Sequence, residues 1–242
     1  GSMMAQDFVP NRLEASKKVA KEFIDGRKGD RIGLVAYAGE AFTACPPTLD
    51  YQILKNQIDL INGDFIGGGT AIGVGLGTAV ARLRSDSLAS KVIILLTDGV
   101  DGGAEPTPLE AAELAKAKNI RVYTIGVGST GEASTLVNSP FGSYYSKMEV
   151  EIDEVTLQKI AAKTNGQYFR ATDNTKLQDI YDEISIKKVN SSSMVQTVTK
   201  LNLENKKLSL VIMPDTYFEN YKIVEEMKEK ITTSNIDVVL GI

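Results

Sequence analysis

Three short segments combine small residues with hydroxyls or carboxylates. They are Gly1-Ser2-Met3-Met4 continuing into Ala5-Gln6-Asp7-Phe8, then Gly67-Gly68-Gly69-Thr70-Ala71-Ile72-Gly73, and Leu95-Leu96-Thr97-Asp98-Gly99-Val100-Asp101. Small residues let the backbone turn tightly beside a polar side chain. A few hydroxyls, one or two carboxylates and water make a site for a small hard cation such as magnesium. Magnesium keeps several waters and prefers octahedral geometry, so sparse ligands from separate loops suit it better than a dense acidic cage. Other chemistries are absent from the sequence. It contains no histidine, the commonest general base and zinc ligand. The single cysteine, Cys45, excludes an intrachain disulfide. It precedes Pro46-Pro47 with no basic neighbour to lower its pKa, so a packing or surface role is expected. There is no G-x-x-x-x-G-K-[ST] phosphate loop. The run Gly73-Val74-Gly75-Leu76-Gly77 falls inside a predicted helix with no strand before it, which argues against a dinucleotide site.

Stepping outward, alternating strands and helices must position these segments. Residues 10–26 predict a helix with Leu13, Val19, Ala20 and Phe23 on one face, Pro10 in its first turn and Gly26 at its end. Arg31–Ala36 reads as a buried strand with Ala41–Thr43 as a short partner. Asp50–Ile61 and Ala71–Leu83 read as helices. Lys91–Thr97 is a continuous apolar run, the pattern of a central parallel strand covered on both faces. A helix over Pro108–Lys118 and a buried strand over Arg121–Val127 follow. Residues 128–150 read as a long excursion. Asp153–Thr164, Gln167–Arg170 and Lys176–Ile186 read as helix, strand and helix. The alternation implies an α/β, doubly wound, mostly parallel sheet with helices on both faces, whose ligands bind at the carboxyl ends of the strands. Asp98 and Val100–Gly103 fall at such an end.

Composition narrows the partners. A hydrophobic share of 43% with 24% charged residues supports a real core. A net charge of -4 without a basic run argues against nucleic acid, whose phosphates need a concentrated Lys/Arg face. No apolar stretch reaches the roughly 18 residues of a membrane span, and no signal peptide is visible at the start.

The stretches SMMAQDFVPNRLEASKKVAKEF, DRIGLVAYAGEAFTACPPTLDY, GGTAIGVGLGTAVARL, SKVIILLTDGVD, AAELAKAKNIRVYTIGVG and GQYFRATDNTKLQDIYDEI occur in this order over residues 1–187. In them the chain resembles the von Willebrand factor type A domain of the Bat (aerotolerance-type) bacterial membrane proteins. The resemblance implies a Rossmann-like fold and a metal-ion-dependent adhesion site (MIDAS) built from Asp-x-Ser-x-Ser, a Thr and an Asp. It implies Thr70 as the threonine, Asp98 as the aspartate after the central strand and Ser2 as the last serine of the first motif. Gly1-Ser2 is read as native rather than appended, because the continuation MMAQDFVPNRLEA fits the family. The family's leading aspartate and first serine have no counterpart before Gly1.

In the family, the strand feeding that first motif reads like IDVVLGI, which here is residues 236–242. This predicts a circular permutation in which the final strand fills a central slot beside Lys91–Thr97; an appended βαβ extension or a second domain cut short is the alternative. The expected organisation is a von Willebrand factor type A domain over 1–187, a polar linker over 188–204 containing Ser191-Ser192-Ser193, and a βαβ-like tail over 205–242.

The resemblance implies a non-enzymatic binding module that holds Mg²⁺ (or Mn²⁺ or Ca²⁺) and grips a partner protein through its Asp or Glu. The rival readings are a structural scaffold of a membrane complex with a vestigial metal site and, less favoured, a metal-assisted phosphoester hydrolase. The family also implies a membrane-anchored parent in the bacterial inner membrane, this domain facing the periplasm, with other Bat-like subunits as partners. Thr70 has a second reading, as a cap for the helix after it. Asp7 is read as a structural or capping residue, and Asp101 and Glu105 as parts of a solvated loop. Tyr144 and Tyr145, with Phe141, are equally partner anchors or pins that hold the excursion to the domain.

Overall fold

In the computed structural model, the alternation of apolar strands and amphipathic helices builds the expected α/β architecture. The residues described are 2–62, 69–83, 90–129, 131–139, 142–149 and 151–185. The chain forms two compact units. Gly1–Ser85 with Lys91–Glu183 make the first, and Asp86–Ser90 with Ile184–Ile242 the second. Nearly all of the second, including the linker and the segment 236–242 expected in the central slot, lies outside the described residues.

In the first unit a short 3-10 turn, Ser2–Met4, leads to α1 (Arg12–Asp25). The strand β1 (Ile32–Tyr37) then pairs antiparallel with β2 (Ala41–Thr48). Helices α2 (Tyr51–Leu60) and α3 (Ile72–Arg82) precede β3 (Lys91–Thr97), α4 (Pro108–Ala117) and β4 (Ile120–Val127). A hairpin of β5 (Glu132–Ser139) and β6 (Gly142–Glu149) follows, then α5 (Glu154–Lys163), β7 (Tyr168–Ala171) and a last helix α6 over 174–185. Three details differ from the sequence expectation. Strand β2 runs on to Thr48, beyond the short Ala41–Thr43 partner expected. Pro10 lies ahead of α1, whose N-cap is Asn11; the Asn11 side chain accepts the Glu14 N–H, a bond that proline cannot offer. Residues 132–149 are a regular antiparallel hairpin rather than an excursion, running in register from Glu132 opposite Glu149 to Ser139 opposite Gly142.

The parallel sheet has the order β3-β4-β7, with Lys91–Thr97 beside Ile120–Gly126 and Thr124–Val127 beside Tyr168–Ala171. Its strands therefore all end at one edge. Helices α3, α4 and α5 cover one face. Ile72, Leu76, Val80, Ala111, Ile93 and Val122 close into one apolar cluster there, and each large aliphatic side chain so buried contributes about 1.5–3 kcal/mol. Over the β1–β2 pair, Ile24 of α1 and Leu54 and Ile58 of α2 pack against Cys45, while Phe23 of α1 meets Tyr181 of α6 edge-on at 5.3 Å. Cys45 is a packing residue, and burial pushes its thiol pKa up. Strand β4 is buried over nearly its whole length. In β3, by contrast, Ile93, Leu95 and Thr97 are buried while Val92, Ile94 and Leu96 are half-buried. Among the described residues β1 and β2 form a sheet of their own, joined to β3 by the Tyr37 hydroxyl, which donates to the Leu96 carbonyl at 2.6 Å.

The glycines of α3 serve this packing. A Cβ on Gly75 would stand 2.7 Å from the Tyr37 ring, and one on Gly73 only 1.9 Å from the Pro106 carbonyl oxygen. They let the helix lie close to β1 and to the loop before α4, which accounts for Gly73 and Gly75 without a nucleotide.

Candidate metal centre

The site forms where β3 ends. Asp98 follows Thr97 directly, so the apolar strand delivers a carboxylate to the carboxyl edge of the sheet, and the side chain is only 6% exposed. The Ser2 hydroxyl donates to Asp98 Oδ1 at 2.9 Å. The turn holding Ser2 is tied down by the main chain: Ala5 N–H donates to the Ser2 carbonyl, Arg12 N–H to the Ala5 carbonyl, and Gln6 N–H to the Ser134 carbonyl of β5.

Thr70 approaches from a third segment. Its Oγ1 lies 3.4 Å from the point where a Cβ on Gly99 would stand, and its carbonyl accepts the Gly102 N–H at 2.7 Å. Thr70 does not cap α3; no side chain of its own segment does. Asp101 performs that task across the fold, accepting the Ile72 N–H through Oδ1 at 2.8 Å and the Gly103 N–H through Oδ2 at 3.0 Å. This corrects the reading of Asp101 as a solvated-loop residue. A helix N-terminus leaves unpaired N–H groups, and a carboxylate held against them is favourable whatever its sequence distance.

Arg12 was missing from the sequence reading. It opens α1, is 1% exposed, and reaches two carboxylates. Its Nε and Nη2 donate to Asp7 at 2.8 and 2.6 Å, a two-pronged bond, and its Nη1 donates to Asp98 Oδ2 at 3.2 Å. Asp7 also accepts the Ser129 N–H at 2.7 Å, which ties the cluster to the end of β4. A signal for Arg12 exists in the sequence. Positions 12, 15, 16 and 19 share one helical face, and Ala15, Ser16 and Val19 are all buried. A charge in register with a buried face needs a buried partner.

The two aspartates differ electrostatically. Burial raises the pKa of Asp7, but the bonds from Arg12 and Ser129 outweigh it and leave the carboxyl below its ordinary value of 3.8. Burial also raises the pKa of Asp98, and there the bonds from Ser2 and Arg12 fail to offset it, so it stays above that value. Arg12 is raised: burial opposes its charge, and Asp7 first, then Asp98, outweigh that. The guanidinium is thus spent mainly on Asp7, and Asp98 remains an under-compensated buried carboxylate.

Asp98, Ser2, Arg12 and Gly99 line a cavity of about 210 Å³, with the exposed Glu149 and Glu151 at its walls. This space accommodates a small cation with several waters, and the hydroxyl–carboxylate donor set is one that a hard cation accepts. Among the described residues no three Asp, Glu, His or Cys side chains gather closely enough to hold a metal by themselves. The structure brings Ser2 and Asp98 into contact and sets Thr70 beside Gly99.

The model of the von Willebrand factor type A domain family matches residues 1–183. An uncharacterized protein of Borreliella burgdorferi is 34% identical over 188 residues, covering 77% of this chain and 55% of the relative. The chain thus spans little more than half the length of that relative. Two crystal structures are similar with a TM-score of 0.65. One is the conserved hypothetical protein BatB from Bacteroides thetaiotaomicron, 32% identical, covering 76% of this chain and 92% of that one. The other is an aerotolerance-related membrane protein from Bacteroides fragilis with multiple mutations to serines, 29% identical over 75% and 92%. The mussel byssus proximal thread matrix protein 1 with a zinc-occupied MIDAS motif, 24% identical over 72% of this chain and 40% of that one, shares the fold at a TM-score of 0.55. No helix among the described residues is long and apolar enough to cross a membrane. By its family match over residues 1–183, and by the Bat-type proteins it resembles in sequence and structure, this chain belongs to the von Willebrand factor type A domain family.

Proposed function

We propose that the chain is a divalent-metal-dependent protein-binding module of a membrane-anchored bacterial protein. The observation that carries the reading is the under-compensated carboxylate of Asp98, buried at the end of β3 with the Ser2 hydroxyl on it. Ser2, Thr70 and Asp98 would hold Mg²⁺, with water in the remaining positions, and a carboxylate from the partner would complete the shell. The metal supplies the positive charge that the partner's Asp or Glu meets; the protein residues orient it. Glu149 and Glu151 at the cavity walls repel an incoming carboxylate, so partner binding should depend strictly on the metal. The zinc-occupied MIDAS motif of the mussel protein supports a divalent ion on this fold. The family resemblance supports a parent in the bacterial inner membrane, this domain facing the periplasm, with other Bat-like subunits as candidate partners.

Calorimetric titration with MgCl₂ tests the metal, and binding of a short Asp-containing peptide with and without chelator tests the partner chemistry. We expect Mg²⁺ binding, metal-dependent peptide binding, and loss of both by about tenfold or more in Asp98→Ala and Thr70→Ala. Unchanged binding in both variants would sink the reading. A second reading has one observation in its favour: Arg12 already supplies a cation to Asp98, as a scaffold with a vestigial site would require. Absence of any Mg²⁺ heat would select it.

A further inference from the structure

The buried charges around Asp98 form a branched set rather than a pair. Asp7 Oδ1 and Oδ2 take two of the Arg12 nitrogens, Asp98 Oδ2 takes the third, and Asp98 Oδ1 takes the Ser2 hydroxyl. Both oxygens of Asp98 are therefore engaged by groups of this chain. A guanidinium stays protonated at all accessible pH values, so its charge is fixed. It is 1% exposed and cannot swing into solvent. A cation arriving at Asp98 meets this fixed charge at close range, where screening by salt is weak.

We propose that Arg12 is a resident counter-ion of the metal centre, a positioning residue that holds Asp98 in the metal-free protein and sets the metal affinity, with Asp7 as the residue that tunes it. The inference rests on the metal-binding reading above. Arg12 offsets part of the charge on Asp98 in the metal-free fold and lowers the affinity for a divalent ion. Asp7 acts in the opposite sense. By taking the shorter, two-pronged bond (2.6 and 2.8 Å against 3.2 Å) it draws the guanidinium away from Asp98 and leaves that carboxylate available. Ser129 N–H fixes Asp7 in this role from the end of β4. Metal entry then requires only that the longer of the guanidinium's contacts be given up.

The prediction has a sign that a purely structural role does not produce. Mg²⁺ affinity is measured by calorimetry, and thermal unfolding is followed with chelator and with saturating Mg²⁺. The proteins are the intact chain, Asp7→Asn, Arg12→Gln and the double variant Asp7→Asn/Arg12→Gln. Because Arg12→Gln alone strands Asp7 and can fail to fold, the double variant removes one charge of each sign. The double variant is expected to bind Mg²⁺ about tenfold more tightly than the intact chain and to gain more thermal stability from it. Asp7→Asn is expected to bind about tenfold more weakly, since the guanidinium is then free to close on Asp98. Affinities that fall in both variants, or stay equal to that of the intact chain, overturn the role of Arg12 while leaving metal binding in place. Failure of the intact chain and the double variant alike to bind Mg²⁺ overturns the metal reading and this inference together.

Discussion

Two parts of the molecule treat polar residues in opposite ways. At the end of β3, Asp7, Arg12 and Asp98 are almost wholly buried, and each is bound by the others or by a main-chain N–H. On the β5–β6 hairpin, Tyr144 and Tyr145 are 55% and 63% exposed, and the Glu132–Lys147 ion pair stands in solvent. The Gln6 N–H bond to the Ser134 carbonyl ties the hairpin to the N-terminal turn, and Ala133 beside it is buried. The Gln6 amide reaches the Tyr145 hydroxyl only at 3.5 Å. A buried charge set is costly to disturb, because each partner removed strands another in low dielectric. An exposed strand pair can change sequence at small cost to stability, which suits a surface whose task is recognition. The contrast assigns fold integrity to the strand end and leaves the hairpin's aromatic side chains exposed.

The largest expected effect is on the buried side. Asp98→Ala leaves the Arg12 Nη1 and the Ser2 hydroxyl without their acceptor and should lower the free energy of unfolding by about 2–3 kcal/mol. A loss below about 1 kcal/mol in urea denaturation would break the comparison. Next, Asp101→Ala uncaps α3 and should cost about 1–2 kcal/mol. An unchanged urea midpoint would show that the cap contributes nothing.

Acid should also act through the buried set. The folded-state pKa of Asp7 lies below its ordinary 3.8. Its contribution is thus fully present above that value and is lost as pH falls through the lower folded-state value. Asp98 carries the opposite sign: its raised pKa disfavours the charged form in the fold, so its contribution is lost as pH rises. Stability measured from pH 6 downward should fall in the intact chain, and Asp7→Asn should flatten that fall. A parallel curve for the variant would remove Asp7 from the account. The smallest effect belongs to the hairpin: Tyr144→Ser and Tyr145→Ser should each change stability by within about 0.5 kcal/mol. A loss of more than about 1 kcal/mol would show that these tyrosines pin the hairpin to the domain.

Much of the fold was legible because its signals are local. The apolar run Lys91–Thr97 marked β3 to the residue, and apolar periodicity bounded α2, α4 and α5 within a position or two. The hairpin was missed because Glu132–Ser139 and Gly142–Glu149 stand as a two-stranded sheet of their own and lack the apolar runs of the parallel strands. Thr70 and Asp98 stand in segments that the sequence singles out, and Ser2, named through the resemblance, lies in contact with Asp98; their holding a metal belongs to the proposal.

By itself, then, the sequence determined the alternating elements, the strand end that carries Asp98, and a donor set of hydroxyls and one carboxylate suited to a hard cation. Tertiary structure alone decided which charges answer one another. Arg12 meets Asp98 from 86 residues away, and Asp101 caps a helix that begins 29 residues before it. Helical and strand periods report which face a residue occupies within its own element. They carry no record of the element that comes to lie opposite, and the electrostatics of a buried site are set by that neighbour.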